Sequence, residues 1–123
     1  MLLVEDEVGT QDALATLLRM DGWEVVGAYD GEEALGLLAQ RRPDLIVSDY
    51  MMPNLDGLKM IERIKAQPQY ADIPIVLMSA TRIPRELRRQ VEVFLTKPID
   101  LTELRKVMAT LLRRGGNGSG SDA

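Results

Sequence analysis

Short apolar runs alternate along this chain with longer stretches whose apolar residues recur at helical spacing. Leu2-Leu3-Val4 predicts a strand that runs straight into Glu5, Asp6 and Glu7. Ala13, Leu14, Leu17 and Leu18 follow the three-and-four spacing of a helix, which stops near Asp21-Gly22, where glycine suits a C-cap. Trp23 to Ala28 predicts a second strand. Asp30 stands three residues before Glu33, a capping-box-like start for a helix that buries Ala34, Leu35, Leu37 and Leu38 and stops before Pro43. A third strand, Leu45 to Ser48, meets Asp49. The turn-rich Pro53-Asn54-Leu55-Asp56-Gly57 then leads to a helix burying Leu58, Ile61 and Ile64. Ile73 to Met78 is the fourth strand, with Pro74 near its start, where a missing donor is tolerated. Arg82 to Glu92 is a weak, basic helical stretch, and Val93-Phe94-Leu95 a fifth strand. Asp100-Leu101-Thr102-Glu103 opens a last helix with Leu104, Val107, Met108, Leu111 and Leu112 on one side.

Strands regularly separated by helices imply an α/β fold: one doubly wound, five-stranded parallel sheet with helices on both faces. The near-continuous apolar character of the third and fourth strands suits a sheet buried on both sides. From Gly115 onward the composition is that of a flexible linker. The expectation is one domain over residues 1–113 and a Gly/Ser-rich tail or linker over 114–123.

Composition narrows the chemistry. The chain has 123 residues, a net charge of −4, no cysteine and no histidine. Disulfides, thiolate chemistry, imidazole bases, histidine-ligated zinc and phosphohistidine are therefore excluded on this chain. The acidic balance argues against a dedicated nucleic-acid surface. The longest apolar run, Ile73 to Met78, contains Pro74 and is far shorter than the roughly 20 residues of a spanning helix. A cytoplasmic protein without a membrane partner is the expectation.

In an open parallel sheet, ligands bind beyond the C-terminal ends of the strands. Those ends carry Glu5 and Asp6 (first strand), Asp49 (third), Ser79 (fourth) and Lys97 (fifth). Three carboxylates close together repel one another, and a hard divalent cation with oxygen ligands, such as Mg²⁺, resolves this. Lys97 adds a cationic point charge and Ser79 a hydroxyl donor. Such a rim suits phosphoryl transfer, with Asp49 as the nucleophile.

At this point the sequence resembles a response-regulator receiver domain of two-component signalling. The matching stretches are LLVEDE at 2–7, LIVSDYMMPNLDGL at 45–58, VLMSA at 76–80 and FLTKPID at 94–100. The resemblance implies a flavodoxin-like sheet of order 2-1-3-4-5. It implies that Asp49 accepts phosphate from the phosphohistidine of a histidine kinase or histidine phosphotransfer protein. Asp6 and Asp49 would ligate Mg²⁺ together with the backbone carbonyl of Met51, and Glu5 would act through metal-bound water. Ser79 and Lys97 would engage the phosphoryl group, Ser79 moving with it, and Phe94 would reorient with the switch. The Lys97-Pro98 bond would be cis. Such a domain is not an enzyme acting on a separate substrate, although it assists its own phosphorylation and dephosphorylation. An output domain or a homodimer would read the switch through the fourth helix, fifth strand and fifth helix, with no direct contact to nucleic acid.

The stretch from Ser79 to Lys97 is shorter than the family pattern by about one helical turn, roughly four residues. Gln90-Val91 stands where a Gly-Ala pair is usual. These departures predict a shortened fourth helix, which Pro84 can open. Arg82, Arg85, Arg88 and Arg89 read as a solvated face. Two other readings compete with the phosphoacceptor. One is a pseudo-receiver, an interaction module with an unused pocket. The other is an Asp-nucleophile phosphohydrolase, whose second Asp two positions on is replaced here by Met51.

Overall fold

Apolar strands too short to stand alone gain their stability here by pairing in parallel and being covered on both faces. A computed structural model describes residues 1–50 and 57–120, with side chains described to residue 113. In chain order the elements are β1 (Leu2–Val4), α1 (Val8–Met20), β2 (Val26–Ala28), α2 (Gly31–Gln40), β3 (Ile46–Asp49) and α3 (Gly57–Lys65). They continue with β4 (Ile75–Ser79), α4 (Arg85–Arg88), β5 (Val93–Thr96) and α5 (Leu101–Gly120). The strands form one parallel sheet of order β2-β1-β3-β4-β5, as the resemblance implied.

Side chains alternate across this sheet, and its three central strands, β1, β3 and β4, are buried on both faces. Leu2, Val4, Ile46, Ile75 and Leu77 point into one core, with Ala34 and Leu38 of α2, Met60, Ile61 and Ile64 of α3, and Leu87 of α4. Leu3, Val47, Val76 and Met78 point into the other, with Ala15 and Leu18 of α1 and Leu104, Met108 and Leu111 of α5. Because each core is closed by helices on its own side, the strand ends are left as the accessible rims.

Local chemistry sets the helix ends. The Asp30 carboxylate accepts the Glu33 N–H at 2.8 Å, while the Glu33 carboxylate accepts the Tyr29 N–H at 2.6 Å, a reciprocal cap for α2. The Asp100 carboxylate likewise accepts from the N–H groups of Thr102 and Glu103 at the start of α5. Gly22 follows α1 with φ of 98°, the left-handed conformation for which glycine is suited. The helix α5 runs to Gly120, into the Gly/Ser segment, while its last buried apolar residue is Leu111.

Three elements differ in extent from the periodicity. The strand β2 covers only Val26–Ala28 of the expected Trp23–Ala28, because its partner β1 offers three residues and the register is Leu2 with Val26 to Val4 with Ala28. Trp23, half-buried, packs instead against the α1/α5 core and lines a cavity of about 400 Å³ at the N-terminal ends of the strands, beside Glu24 and Arg41. The strand β4 begins at Ile75, after Pro74, and includes Ser79. The third difference was expected. The helix α4 is a single turn, four residues long, opened by Pro84 and anchored by the buried Leu87. No helix among the described residues is long and apolar enough to cross a membrane.

Candidate functional site

The C-terminal rim of the sheet gathers the residues that the strand ends carry. Glu5 follows β1 directly and is only 1% exposed; Asp49 is the last residue of β3 and 5% exposed. Asp6 beside them is open to solvent. One carboxylate oxygen from each of Glu5, Asp6 and Asp49 lies within 4.8 Å of the other two. Lys97, one residue beyond β5, reaches across the rim. Its Nζ lies 3.2 Å from Asp49 Oδ1 and 3.3 Å from Glu5 Oε1.

The electrostatics follow from burial. Loss of water pushes the Glu5 and Asp49 carboxyls up from their ordinary range. For Glu5 the Glu7 N–H opposes this at 3.1 Å, the Asp49 charge adds to it, and Lys97 offsets part. For Asp49 the Lys97 ion pair is the main opposing influence. Burial by itself would lower Lys97, but its two carboxylate partners outweigh that and hold it above its usual value. The rim thus holds more negative charge than one ammonium neutralises. The surplus donors are hard oxygens, and Glu5, Asp6 and Asp49 together could hold a hard divalent cation of the Mg²⁺ class.

The backbone fixes these side chains. Asp49 is held by sheet pairing opposite Met78, and the Tyr50 N–H continues the ladder to the Met78 carbonyl at 2.9 Å. Tyr50 in turn accepts from the Gly57 N–H at 2.9 Å. A Cβ on Gly57 would lie 2.9 Å from the Tyr50 carbonyl oxygen and 3.0 Å from its Cα, so this approach of α3 to β3 requires glycine. The Lys97-Pro98 bond is cis, as the resemblance implied.

Ser79 ends β4, buried on the same rim and opposite Thr96. Its hydroxyl is engaged locally: Oγ accepts the Thr81 N–H at 3.0 Å and lies 3.1 Å from Thr81 Oγ1. Phe94 is half-buried in β5 and packs on the α2/α3/α4 core, with the Arg88 guanidinium 5.4 Å from its ring centroid. The expected metal contact at the Met51 carbonyl lies outside the described residues.

Periodicity missed one supporting residue. Gln11, on α1, is 5% exposed, and its Nε2 donates to the carbonyls of Glu5 at 3.0 Å and Ala28 at 2.7 Å. The amide ties the exit of β1 to β2 and so fixes where Glu5 leaves the sheet. Its space exists because residue 27 is glycine: a Cβ there would lie 2.3 Å from Gln11 Oε1. The available signal was a short amide side chain four and seven residues before the buried Ala15 and Leu18.

Comparison with known proteins places the chain in a family. The model of the response regulator receiver domain matches residues 1–109. The response regulator MprA of Mycobacterium sp. (strain KMS) is 36% identical over 127 residues, covering 100% of this chain and 54% of MprA. The chain spans about half the length of the curated relatives it matches. Among solved structures, the signal receiver domain of a signal transduction histidine kinase from Syntrophus aciditrophicus superposes with a TM-score of 0.85. It is 32% identical, over 99% of this chain and 95% of that one. Response regulator protein TrrA from Thermotoga maritima, solved in complex with Mg²⁺-BeF, gives 0.80 at 28% identity over 89% of this chain and 96% of TrrA. With its sheet order, its acidic rim and its cross-rim lysine, this chain belongs to the response regulator receiver domain family of two-component signalling.

Proposed function

We propose that this domain is a phosphoacceptor in a two-component phosphorelay, with Asp49 as the residue modified. One observation carries the reading: Lys97 bridges Glu5 and Asp49 beside Asp6, so a buried carboxylate sits among charges suited to phosphoryl transfer. The donor is the phosphohistidine of a histidine kinase or histidine phosphotransfer protein. An Asp49 oxygen attacks phosphorus, the P–N bond breaks, and the imidazole leaves with the electron pair.

Each side chain of the rim has a part. Asp49 is presented in one orientation by its strand, which removes much of the entropic cost of alignment. Lys97 stays protonated and stabilises charge on the incoming group. Asp6 and Asp49 would hold Mg²⁺, with Glu5 acting through metal-bound water, and the ion would supply electrostatic stabilisation of the phosphoryl oxygens. The resemblance would add the backbone carbonyl of Met51, which lies outside the described residues, to that set. Ser79 exchanges its contacts with Thr81 for the phosphoryl group, and Phe94 reorients with it. Those contacts exist only in the phosphorylated state and shift the population of a two-state domain. The domain ends near residue 113, and 114–123 serves as a tail or linker to an output element. The reading includes a cytoplasmic location, no turnover of a separate substrate, and no direct contact with nucleic acid.

The test is intact-protein mass after incubation with Mg²⁺ and a small-molecule phosphodonor. A single phosphoryl adduct is expected, lost in Asp49→Ala and lost when EDTA removes the metal. No adduct on the wild-type chain would overturn the phosphoacceptor reading and leave an interaction module.

A further inference from the structure

Where β1 ends, the pairing of the sheet gives out just before the chain sets its two acids on the rim. The last residue of β1, Val4, pairs with Ala28 on one side and Ser48 on the other. Glu5 lies past both pairs. Its N–H still donates to the Ala28 carbonyl at 3.0 Å, but its own carbonyl has no backbone donor among the described residues. That carbonyl belongs to the planar peptide unit joining Glu5 to Asp6, so its orientation sets the direction in which both carboxylates leave the chain.

A side chain takes the place of the missing strand residue. Gln11 Nε2 donates to the Glu5 carbonyl at 3.0 Å and to the Ala28 carbonyl at 2.7 Å. The Ala28 oxygen thus accepts from the Glu5 N–H and the Gln11 amide together, and the hydrogen bonds close a loop around Glu5. All three residues are buried, so water is a poor substitute for the amide. Beyond this loop the Glu5 carboxylate accepts the Glu7 N–H at 3.1 Å and faces Lys97 at 3.3 Å. Gly27 keeps the amide's space open, because a Cβ there would overlap Gln11 Oε1.

Carboxylates bind a cation more tightly when they are aimed before the ion arrives, and the groups that aim them act from behind the ligands. We propose that Gln11 is a positioning residue of the rim, which sets its Mg²⁺ affinity by fixing the Glu5–Asp6 peptide. The donors of the amide are spent on two carbonyls, so Gln11 acts through Glu5 and Asp6 and not as a ligand. This inference rests on the metal-binding part of the phosphoacceptor reading and requires nothing of phosphoryl transfer to Asp49.

The experiment titrates the unphosphorylated full chain, stripped of metal, with Mg²⁺ and follows the amide signals of residues 5–7 and 49–50. Gln11→Met keeps the length of the side chain without its donors and should raise the Mg²⁺ Kd about tenfold. Gly27→Ala reaches the same end by another route: it keeps the amide but pushes it aside, and should also raise the Kd. Tyr70→Phe is the control for stability. It removes a hydroxyl donor from the Leu38 carbonyl, at 3.1 Å, near the end of α2 remote from the rim. It should lower the urea midpoint and leave the Kd unchanged. The proposal is overturned by a wild-type Kd in Gln11→Met or Gly27→Ala, by an equal rise in Tyr70→Phe, or by a wild-type chain whose signals Mg²⁺ does not shift. A wild-type chain that binds Mg²⁺ yet forms no phosphoryl adduct would overturn the phosphoacceptor reading alone; the rise in Gln11→Met would still establish the role of Gln11.

Discussion

The two charged clusters of this domain are built on opposite terms. At the rim, Glu5 and Asp49 are almost wholly buried, and their charges are held in place by a strand end and by Lys97. At α4, four arginines stand in solvent on a single turn and a loop. Buried charge is costly and fixed, so it suits a reaction in which geometry and local field decide the rate. Exposed charge is cheap, screened by salt and free to adapt, so it suits encounter and docking. The two clusters therefore differ in how much water each keeps, and with it in how firmly its charges are fixed.

Lys97→Met should have the largest effect, because it removes a cation that spans the rim. The rate of phosphoryl adduct formation should fall by about a hundredfold, followed by time-resolved intact mass. A rate equal to wild type would erase the distinction between the clusters. Next comes Gln11→Ala, which strips the amide donor from the buried carbonyls of Glu5 and Ala28 and should cost about 2 kcal/mol in urea unfolding. Gly27→Ala should also destabilise. The double variant should lose less than the sum of the two, because the methyl then enters the space the amide has left.

Asp49→Asn should move stability the other way. Folding raises the Asp49 pKa, so the native state binds a proton more readily than the unfolded chain, and wild-type stability falls as pH rises through that window. The Asn variant escapes this. It should be more stable than wild type by about 1 kcal/mol at neutral pH without metal, and the gap should close as acid protonates Asp49. Mg²⁺ should narrow the gap at neutral pH by stabilising the wild type. The smallest effect belongs to the other cluster: Arg85→Ser should change unfolding stability by less than about 0.5 kcal/mol at low or high salt. A larger loss would mean that the arginines hold the fold together.

Most of the rim was legible because its residues announce themselves as polar ends of apolar runs. Glu5 and Lys97 each follow a strand and Asp49 ends one, and parallel pairing brings such ends to one side without any further information. The caps at Asp30 and Asp100 and the stop at Gly22 were equally local. Gln11 was not legible. A search for apolar periodicity assigns an amide to the surface, whereas this one is buried because two carbonyls and a glycine accommodate it. The length of β2 was hidden for another reason. A strand extends only as far as its partner, and the apolar run from Trp23 outlasts the three residues of β1. The basic stretch at Arg82 was visible as composition, but its conversion into a cavity depended on Phe94 arriving from another element.

Trp23 has a consequence for how this molecule reports on itself. It is the single tryptophan, packed at the N-terminal ends of the strands, and the acids and Lys97 lie beyond the opposite ends. Its emission therefore follows loss of the α1/α5 core and stays nearly silent when charge changes at Asp49. The domain carries an intrinsic fluorophore for unfolding, placed away from the rim, so one optical signal can follow the unfolding of every variant above at a fixed metal concentration.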